Sequence, residues 1–246
     1  MKQPHQWRFI PLLNLSGKEQ MAIDKWLLIQ HQKYNHPPTL RFYTWNRPTI
    51  SLGFSQKKKY PPHWNNLQWH GKSIDIVQRP SGGRGVLHQG DLTYAVISSQ
   101  FEGNLDEVYR QISQFLIMGW QRLGVNLSFG KPHRQYFKSS NCFALSTNAD
   151  LTDSQGNKFI GSAQLKKGKF SLQHGSMLLN PTPELFKKVF NTLPPQAVLE
   201  NFPNIDTIIE TLLNAAQEYF NAEFIHQPLS SKEWKLIEIE TKDILH

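Results

Sequence analysis

An α+β fold is what this sequence predicts, on three observations. Strand-like and helical stretches are mixed without the strict alternation of a βαβ chain. Residues 105–124 and 205–220 carry apolar side chains at helical spacing. "KFIGSAQLK" and "FSLQHGSMLL", joined by "KGK", have the short polar turn between β-rich runs that predicts a hairpin.

Taken in order, "LSGKEQMAIDKWLLIQHQ" reads as the first helix, because Ser16 and Glu19 have capping-box spacing and an apolar run follows. "TLRFYTW" and "TISLGF" are aromatic and β-branched and predict a strand pair turned by "NRP". Prolines, charges and asparagines make 57–72 a loop. "IDIVQR" and "DLTYAVI" resume strand. The helix over 105–124 sets Leu105, Val108, Tyr109, Ile112, Phe115, Leu116 and Leu123 at helical spacing and ends at Gly124, where a C-cap belongs. "VNLSF" alternates as a strand, and the hairpin follows the loop 130–141. From Pro181 onward "TPELFKKVF" and "NIDTIIETLLNAAQEYF" read as helices, the second with Ile205, Ile208, Ile209, Leu212, Leu213, Ala216 and Phe220 on one face.

Composition bounds the function. With 39% hydrophobic and 19% charged residues in 246, the chain supports a core and is not globally disordered. Lys and Arg outnumber Asp and Glu by 27 to 19, giving +8. Such a surface suits an acidic partner: nucleic acid, anionic membrane or an acidic carrier protein. No nucleic-acid motif accompanies the basic runs "KKK" and "LKKGKF", so no nucleic-acid partner is expected. The one cysteine, Cys142, excludes an intramolecular disulfide and suits a reducing compartment. The opening residues have no secretory h-region and no apolar run is long enough to span a bilayer, so a cytoplasmic protein without a membrane partner is expected.

The densest motif is "RPSGGRGVLHQGDLTYAVI", with Gly82, Gly83 and Gly85 within four residues. It begins like G-x-G-x-x-G, but His88 takes the last position and a strand follows, so the helix N-terminus of a dinucleotide site is missing. No P-loop occurs. What remains is either a bend between strands or a backbone lining a tight pocket. Cys142 lies in polar "KSSNCFALS", a better setting for an accessible thiol than a strand interior, although a lone cysteine is more often a small buried apolar residue. Lys158 reads either as a strand-end solvent charge or as a cation that lowers a thiol pKa and polarises a carbonyl. On the second reading its truncation is expected to leave the fold intact. His88 and His174, each within a strand, read singly as hydrogen-bonded structural histidines. The ten histidines show no metal spacing, so no metal site is expected.

Together these stretches resemble the biotin/lipoate A/B protein ligase superfamily, and within it the LipM-type octanoyltransferases. "RPSGGRGVLHQGDLTYAVI" is similar to that branch's R-x-T/S-G-G-R-A-V-L-H-D-x-E-L-T-Y-S-V-I. "GNKFIGSAQLKKGKFSLQHGSMLLN" is similar to its G-x-K-x-x-G-S-A-Q…L-Q-H-G-S-x-L-L segment, and "MAIDKWLL" and "LRFYTWNRPTISLGFSQ" match its early segments. Gln89 stands where the branch usually has Asp, and Gly85 where it has Ala. The resemblance implies a mixed β-sheet packed with helices, residues 1–180 forming the acyltransferase core and 181–246 a helical segment packed on it.

The resemblance also implies chemistry. Cys142 and Lys158 are the catalytic residues it points to: Cys142 as nucleophile carrying an octanoyl group, Lys158 favouring the thiolate and stabilising the oxyanion. Arg79, Ser81, Gly82, Gly83, Gly85, His88, Gly161, Ser162, Ala163 and His174 are the implied substrate-binding residues, the glycines being small so that an acyl chain passes against them. The donor would be octanoyl-acyl carrier protein and the acceptor a lysine of a lipoyl domain or glycine-cleavage H protein, with no cofactor. An ATP-dependent lipoate–protein ligase, a lipoyl amidotransferase and a non-catalytic acyl-carrier-binding scaffold are the competing readings. The cysteine, and "GGRGVLH" in place of the ligases' "GGGAVYH", favour the transferase.

Overall fold

In the computed structural model, which describes residues 4–56, 59–130, 150–196 and 198–242, capping chemistry starts the long helices where the sequence places their signals. Strand β1 (His5–Leu15) leads to α1 (Gly17–Tyr34), whose capping box pairs Ser16 with Glu19. Next come β2 (Thr39–Trp45), β3 (Thr49–Leu52), the short pair β4 (Gln68–Trp69) and β5 (Lys72–Ser73), then β6 (Asp75–Gln78), β7 (Val86–His88) and β8 (Asp91–Ser98). Asn104 and Glu107 cap α2 (Leu105–Arg122), and Gly124 follows its C-cap at φ +84°, the left-handed step a side chain resists. The strands β9 (Ser128–Phe129), β10 (Asp150–Thr152), β11 (Lys158–Lys167) and β12 (Phe170–Leu178) precede α3 (Pro183–Phe190), α4 (Ile205–Phe220), β13 (Ala222–His226) and α5 (Ser231–Lys242).

Eight strands form the main sheet in the order β13-β1-β2-β8-β12-β11-β10-β9. Only β1 makes parallel pairs, with β13 and β2; the rest of the sheet is antiparallel. The predicted hairpin is β11–β12, paired from Ile160↔Met177 to Lys167↔Phe170. A second sheet, β6-β3-β7, stands beside it. Helices cover both faces of the main sheet. Leu92, Tyr94 and Val96 of β8 pack towards α2 and α4, while Ala95 and Ile97 pack towards α1 and α5. The same period of two turns Leu172, His174 and Ser176 of β12 to the α1 side and Gln173 and Met177 to the other. This α+β arrangement of a mixed sheet and packed helices is the expected one.

Some local expectations fail, for identifiable reasons. β2 and β3 do not pair: β2 lies between β1 and β8, and β3 between β6 and β7. Pro48 fixes φ and offers no N–H in the intervening "NRP", so the chain passes to the second sheet instead of folding back. The predicted loop 57–72 contains a 3₁₀ turn at Pro62–Asn66 and the β4–β5 pair. It is anchored by Trp64, fully buried, whose indole N–H donates to the Val189 carbonyl at 2.9 Å. "VNLSF" yields only two strand residues. The stretch after Pro181, read as helical, also supplies β13, which completes one side of the main sheet. Among the described residues no helix is long and apolar enough to cross a membrane.

Candidate functional site

A cavity of about 260 Å³ opens on the α1 side of the main sheet, roofed by β3, β7 and the loop between β6 and β7. Apolar surface comes from Met21, Tyr43, Trp45, Val86 and Leu105, and the rest of the wall from the loop and the β11–β12 hairpin. Arg79, Gly82, Gly83, His88, Gly161, Ser162, Ala163 and His174 all line it. Ser81 is fully buried behind His174, and Gly85 is buried at the foot of β7, away from the cavity. Cys142 lies outside the described residues.

The loop 79–85 is built around Arg79. Its guanidinium donates to the Gly82 carbonyl at 2.8 and 3.1 Å, to the Arg84 carbonyl at 2.6 Å and to the Ser51 carbonyl at 2.7 Å. A planar fork with five donors holds several carbonyls in one geometry, which lysine does not do. The three glycines therefore do different work. A side chain on Gly82 would meet nothing within 4 Å, so its absence leaves the cavity open. Gly83 sits at φ +92° with Arg79 Nη2 2.7 Å from where its Cβ would be, so backbone conformation and the guanidinium both exclude a side chain. Gly85 is buried at the start of β7 and is not among the described residues that line this cavity.

Two buried Ser–His–Asp chains flank the cavity. In one, Asp24 Oδ2 accepts from His174 Nδ1 at 2.8 Å, and His174 Nε2 meets Ser81 Oγ at 2.5 Å. Arg41 donates to Asp24 Oδ1 through Nε at 2.9 Å, Tyr43 donates its hydroxyl to Oδ2 at 3.1 Å, and Arg41 also donates to both oxygens of Gln20 at 2.8 Å. Burial alone would raise the Asp24 carboxyl, but Arg41 and His174 outweigh it and hold it below the usual carboxylate value. In the second chain, Asp91 Oδ2 accepts from His88 Nδ1 at 2.8 Å, and His88 Nε2 meets Ser51 Oγ at 2.8 Å. Burial pushes the His88 imidazole below its ordinary value against the pull of Asp91.

On the hairpin side, Tyr94 and Ser162 share a hydrogen bond of 2.9 Å, and Gln173 donates to the Tyr94 oxygen and to Ser113, each at 2.9 Å. Burial pushes the Tyr94 hydroxyl up to about 12. Lys158 is buried, not a strand-end solvent charge: its ammonium lies 2.7 Å from Asp150 Oδ1, with both side chains at most 3% exposed. Asp150 itself reaches the cavity wall. Among the described residues no group of three His, Cys, Asp or Glu is placed to hold a metal ion.

Sequence reasoning passed over Asp24, Arg41, Tyr43, Trp45, Ser51, Asp91 and Asp150. A signal existed for one of them: Arg41 within "TLRFYTW" is a single charge inside an apolar run, where an exposed position is improbable and a buried partner is required, whereas Asp24 in "MAIDKWLL" stands next to Lys25 and carries no such mark.

Residues 16–224 match the model of the lipoyl protein ligase A/B catalytic domain. An octanoyltransferase LipM of Carboxydothermus hydrogenoformans is 34% identical over 251 aligned positions, covering 94% of this chain and 92% of that protein. An octanoyltransferase LipM of Bacillus subtilis is 35% identical, covering 86% and 80%. In structure, a putative lipoate protein ligase of T. acidophilum, solved with bound lipoic acid, superposes with a TM-score of 0.78 at 18% identity, covering 97% of this chain and 95% of that one, and so shares the fold. The chain belongs to the lipoyl protein ligase A/B catalytic-domain family, on its octanoyltransferase LipM branch.

Proposed function

We propose that this protein is a cytoplasmic octanoyltransferase of lipoate biosynthesis that moves the acyl group from octanoyl-acyl carrier protein to a lysine of a lipoyl domain or glycine-cleavage H protein. The observation that carries the reading is the cavity. Its volume of about 260 Å³ falls below the roughly 300–1,000 Å³ usual for ligand pockets. A thin unbranched acyl chain suits that space, and the likeness to octanoyltransferases LipM over most of the chain favours transfer over ATP-dependent ligation. The +8 net charge suits an acidic carrier.

Transfer proceeds in two balanced steps. The Cys142 thiolate attacks the thioester carbonyl, its sulfur–carbon bond forms, the carrier's carbon–sulfur bond breaks, and the departing thiolate takes a proton. The acceptor amine then attacks the enzyme thioester, an amide forms, the Cys142 thiolate is restored, and one proton leaves nitrogen. Both steps pass through an oxyanion, for which Lys158 and the backbone N–H groups near Gly161 and Ser162 are the donors of this reading. Thioester chemistry supplies the driving force without nucleotide or metal.

Incubation with octanoyl-acyl carrier protein, without acceptor or nucleotide, should add one octanoyl group to the protein's mass. Hydroxylamine should remove it, apo lipoyl domain should discharge it, and Cys142→Ala should show neither adduct nor turnover. Activity only with free octanoic or lipoic acid plus ATP and Mg²⁺ would establish the ligase instead. A wild-type rate in Cys142→Ala would exclude the covalent route.

A further inference from the structure

We propose that a groove beside the cavity, rimmed by Phe54 and Lys167, is the docking surface for the acyl carrier, whose acidic face meets Lys167 while its pantetheine arm lies along the groove floor. The inference rests on the transferase reading above, which requires a carrier but gives it no place on the molecule.

The groove, about 600 Å³, runs between α1, the end of β11 and the start of the loop 79–85. Leu28, Ile29, Pro80 and Leu165 give it an apolar floor. Met21, Arg79 and Gly82 line both the groove and the cavity, so the two adjoin. At that boundary Gly82 leaves open space, since a side chain there would meet nothing within 4 Å.

Phe54 stands at the rim, 70% exposed. A single exposed aromatic is ordinary, but one held by fixed backbone beside an apolar floor extends that floor into a contact surface. The Phe54 N–H donates to the Ser81 carbonyl at 2.9 Å, and its own carbonyl accepts from Gln78 Nε2 at 2.7 Å. Gly53, just before it, lies so close to the Gly83 carbonyl that no Cβ would fit. The ring is therefore carried by backbone locked to the same loop that walls the cavity, and binding need not order it first.

Charge selects the occupant. Alternation along β11 sets Leu165 and Lys167 on the groove side. Lys25 is matched by Glu240 at 2.7 Å, whereas Lys167 is exposed and makes no ion pair among the described residues. None of the described residues lining the groove is Asp or Glu. An apolar floor with an unmatched cation at its rim fits an acidic protein bearing a slender arm, the carboxylates of the protein and the phosphate at the root of the arm being the anions that Lys167 meets. A lipoyl domain presents only a lysine side chain, which needs an opening and not a groove more than twice the volume of the cavity.

A carrier protein whose octanoyl group is joined to the arm by an amide in place of the thioester reads binding without transfer, by stopped-flow and equilibrium fluorescence on the full chain. Phe54→Ser should weaken equilibrium binding about tenfold or more, as loss of an aromatic anchor does. Lys167→Glu should slow association about tenfold or more at low salt, with the difference shrinking as salt screens it. Arg122→Glu makes the same change of net charge on α2, which covers the opposite face of the sheet, and should leave association near the wild-type rate. Octanoyl-pantetheine with the same amide, lacking phosphate and protein, should lose affinity in Phe54→Ser and keep it in Lys167→Glu. Apo lipoyl domain should bind both groove variants as it binds the wild type. Equal slowing by Lys167→Glu and Arg122→Glu would reduce the effect to net charge and overturn the proposal. Wild-type carrier binding in both groove variants would overturn it too, as would losses confined to the lipoyl domain, which would make the groove the acceptor's. A wild-type chain that does not bind the carrier at all removes the transferase reading itself, a failure distinct from these.

Discussion

Removing Arg41 tests whether the ion pair beneath the cavity is structural. In Arg41→Met the Asp24 carboxylate, fully buried, loses donors at 2.9 and 2.7 Å, and the side-chain and backbone oxygens of Gln20 each lose one at 2.8 Å. Breaking one side of a buried pair typically costs about 3–5 kcal/mol, because the surviving charge has no compensation. The Gln20 acceptors push the cost towards the upper end, at about 1–3 kcal/mol for each group left unsatisfied, though these contributions do not add in full. A loss of about 4 kcal/mol corresponds to a melting point lower by roughly 8–16 °C in a chain of this size. Urea unfolding followed by tryptophan fluorescence gives the free energy directly. The pH dependence carries a sign. Asp24 is held below its unfolded value, so its contribution is present above about pH 4 and is lost as pH falls through the folded pKa. In Arg41→Met burial pushes that carboxyl back up, so the gap between variant and wild type should narrow in acid. A loss below about 1 kcal/mol, the range of ordinary surface changes, would refute the reasoning.

Gly175→Ala should cost about 1–3 kcal/mol by overpacking: its new methyl would overlap Ser162 Oγ and stand 2.7 Å from Tyr94 Cε1 and 2.9 Å from the Gly161 carbonyl. Thermal melts should show the loss, with a slower octanoyl transfer because the same atoms border the cavity. Lys158→Met should slow transfer about 10²–10³-fold, as loss of an oxyanion donor does, and should also destabilise the protein by about 3–5 kcal/mol by leaving Asp150 buried without its ammonium. Lys158→Met combined with Asp150→Leu should regain stability without regaining transfer; recovery of both would return Lys158 to a purely structural role.

Local signals were legible, long-range ones were not. The capping box at Ser16–Glu19 and the β11–β12 turn involve atoms a few residues apart, and a sequence pattern reports such contacts directly. The glycine loop was legible as a close approach, but its organiser Arg79 was assigned only by resemblance, because its carbonyl partners depend on how the loop folds back. The Ser81–His174–Asp24 chain was invisible for a stronger reason, whereas the His88–Asp91 pair, three residues apart within the glycine motif, was a local signal passed over. His174 and Asp24 are 150 residues apart, and His174 and Ser81 are 93 apart. A histidine flanked by glutamine and glycine in a strand carries no mark of such partners. Lys158 was misjudged in setting because a lysine opening a strand usually faces water, and its partner Asp150 comes from the neighbouring strand β10. β13 escaped because five residues with alternating exposure, directly after a long helix, look like that helix fraying.

The parallel seam between β1 and β13 ties His5–Phe9 to Ala222–His226, and Arg8 adds hydrogen bonds to Gln227, Pro228 and Glu233. During synthesis β1 therefore waits, one margin unpaired, until nearly the whole chain has been made. An open margin rich in Trp7, Phe9 and Ile10 is a template on which strands of other molecules add. A truncation that stops after α4 should consequently accumulate in inclusion bodies at ordinary expression levels, and a short synthetic peptide spanning residues 221–230, supplied in trans during refolding, should keep it in solution.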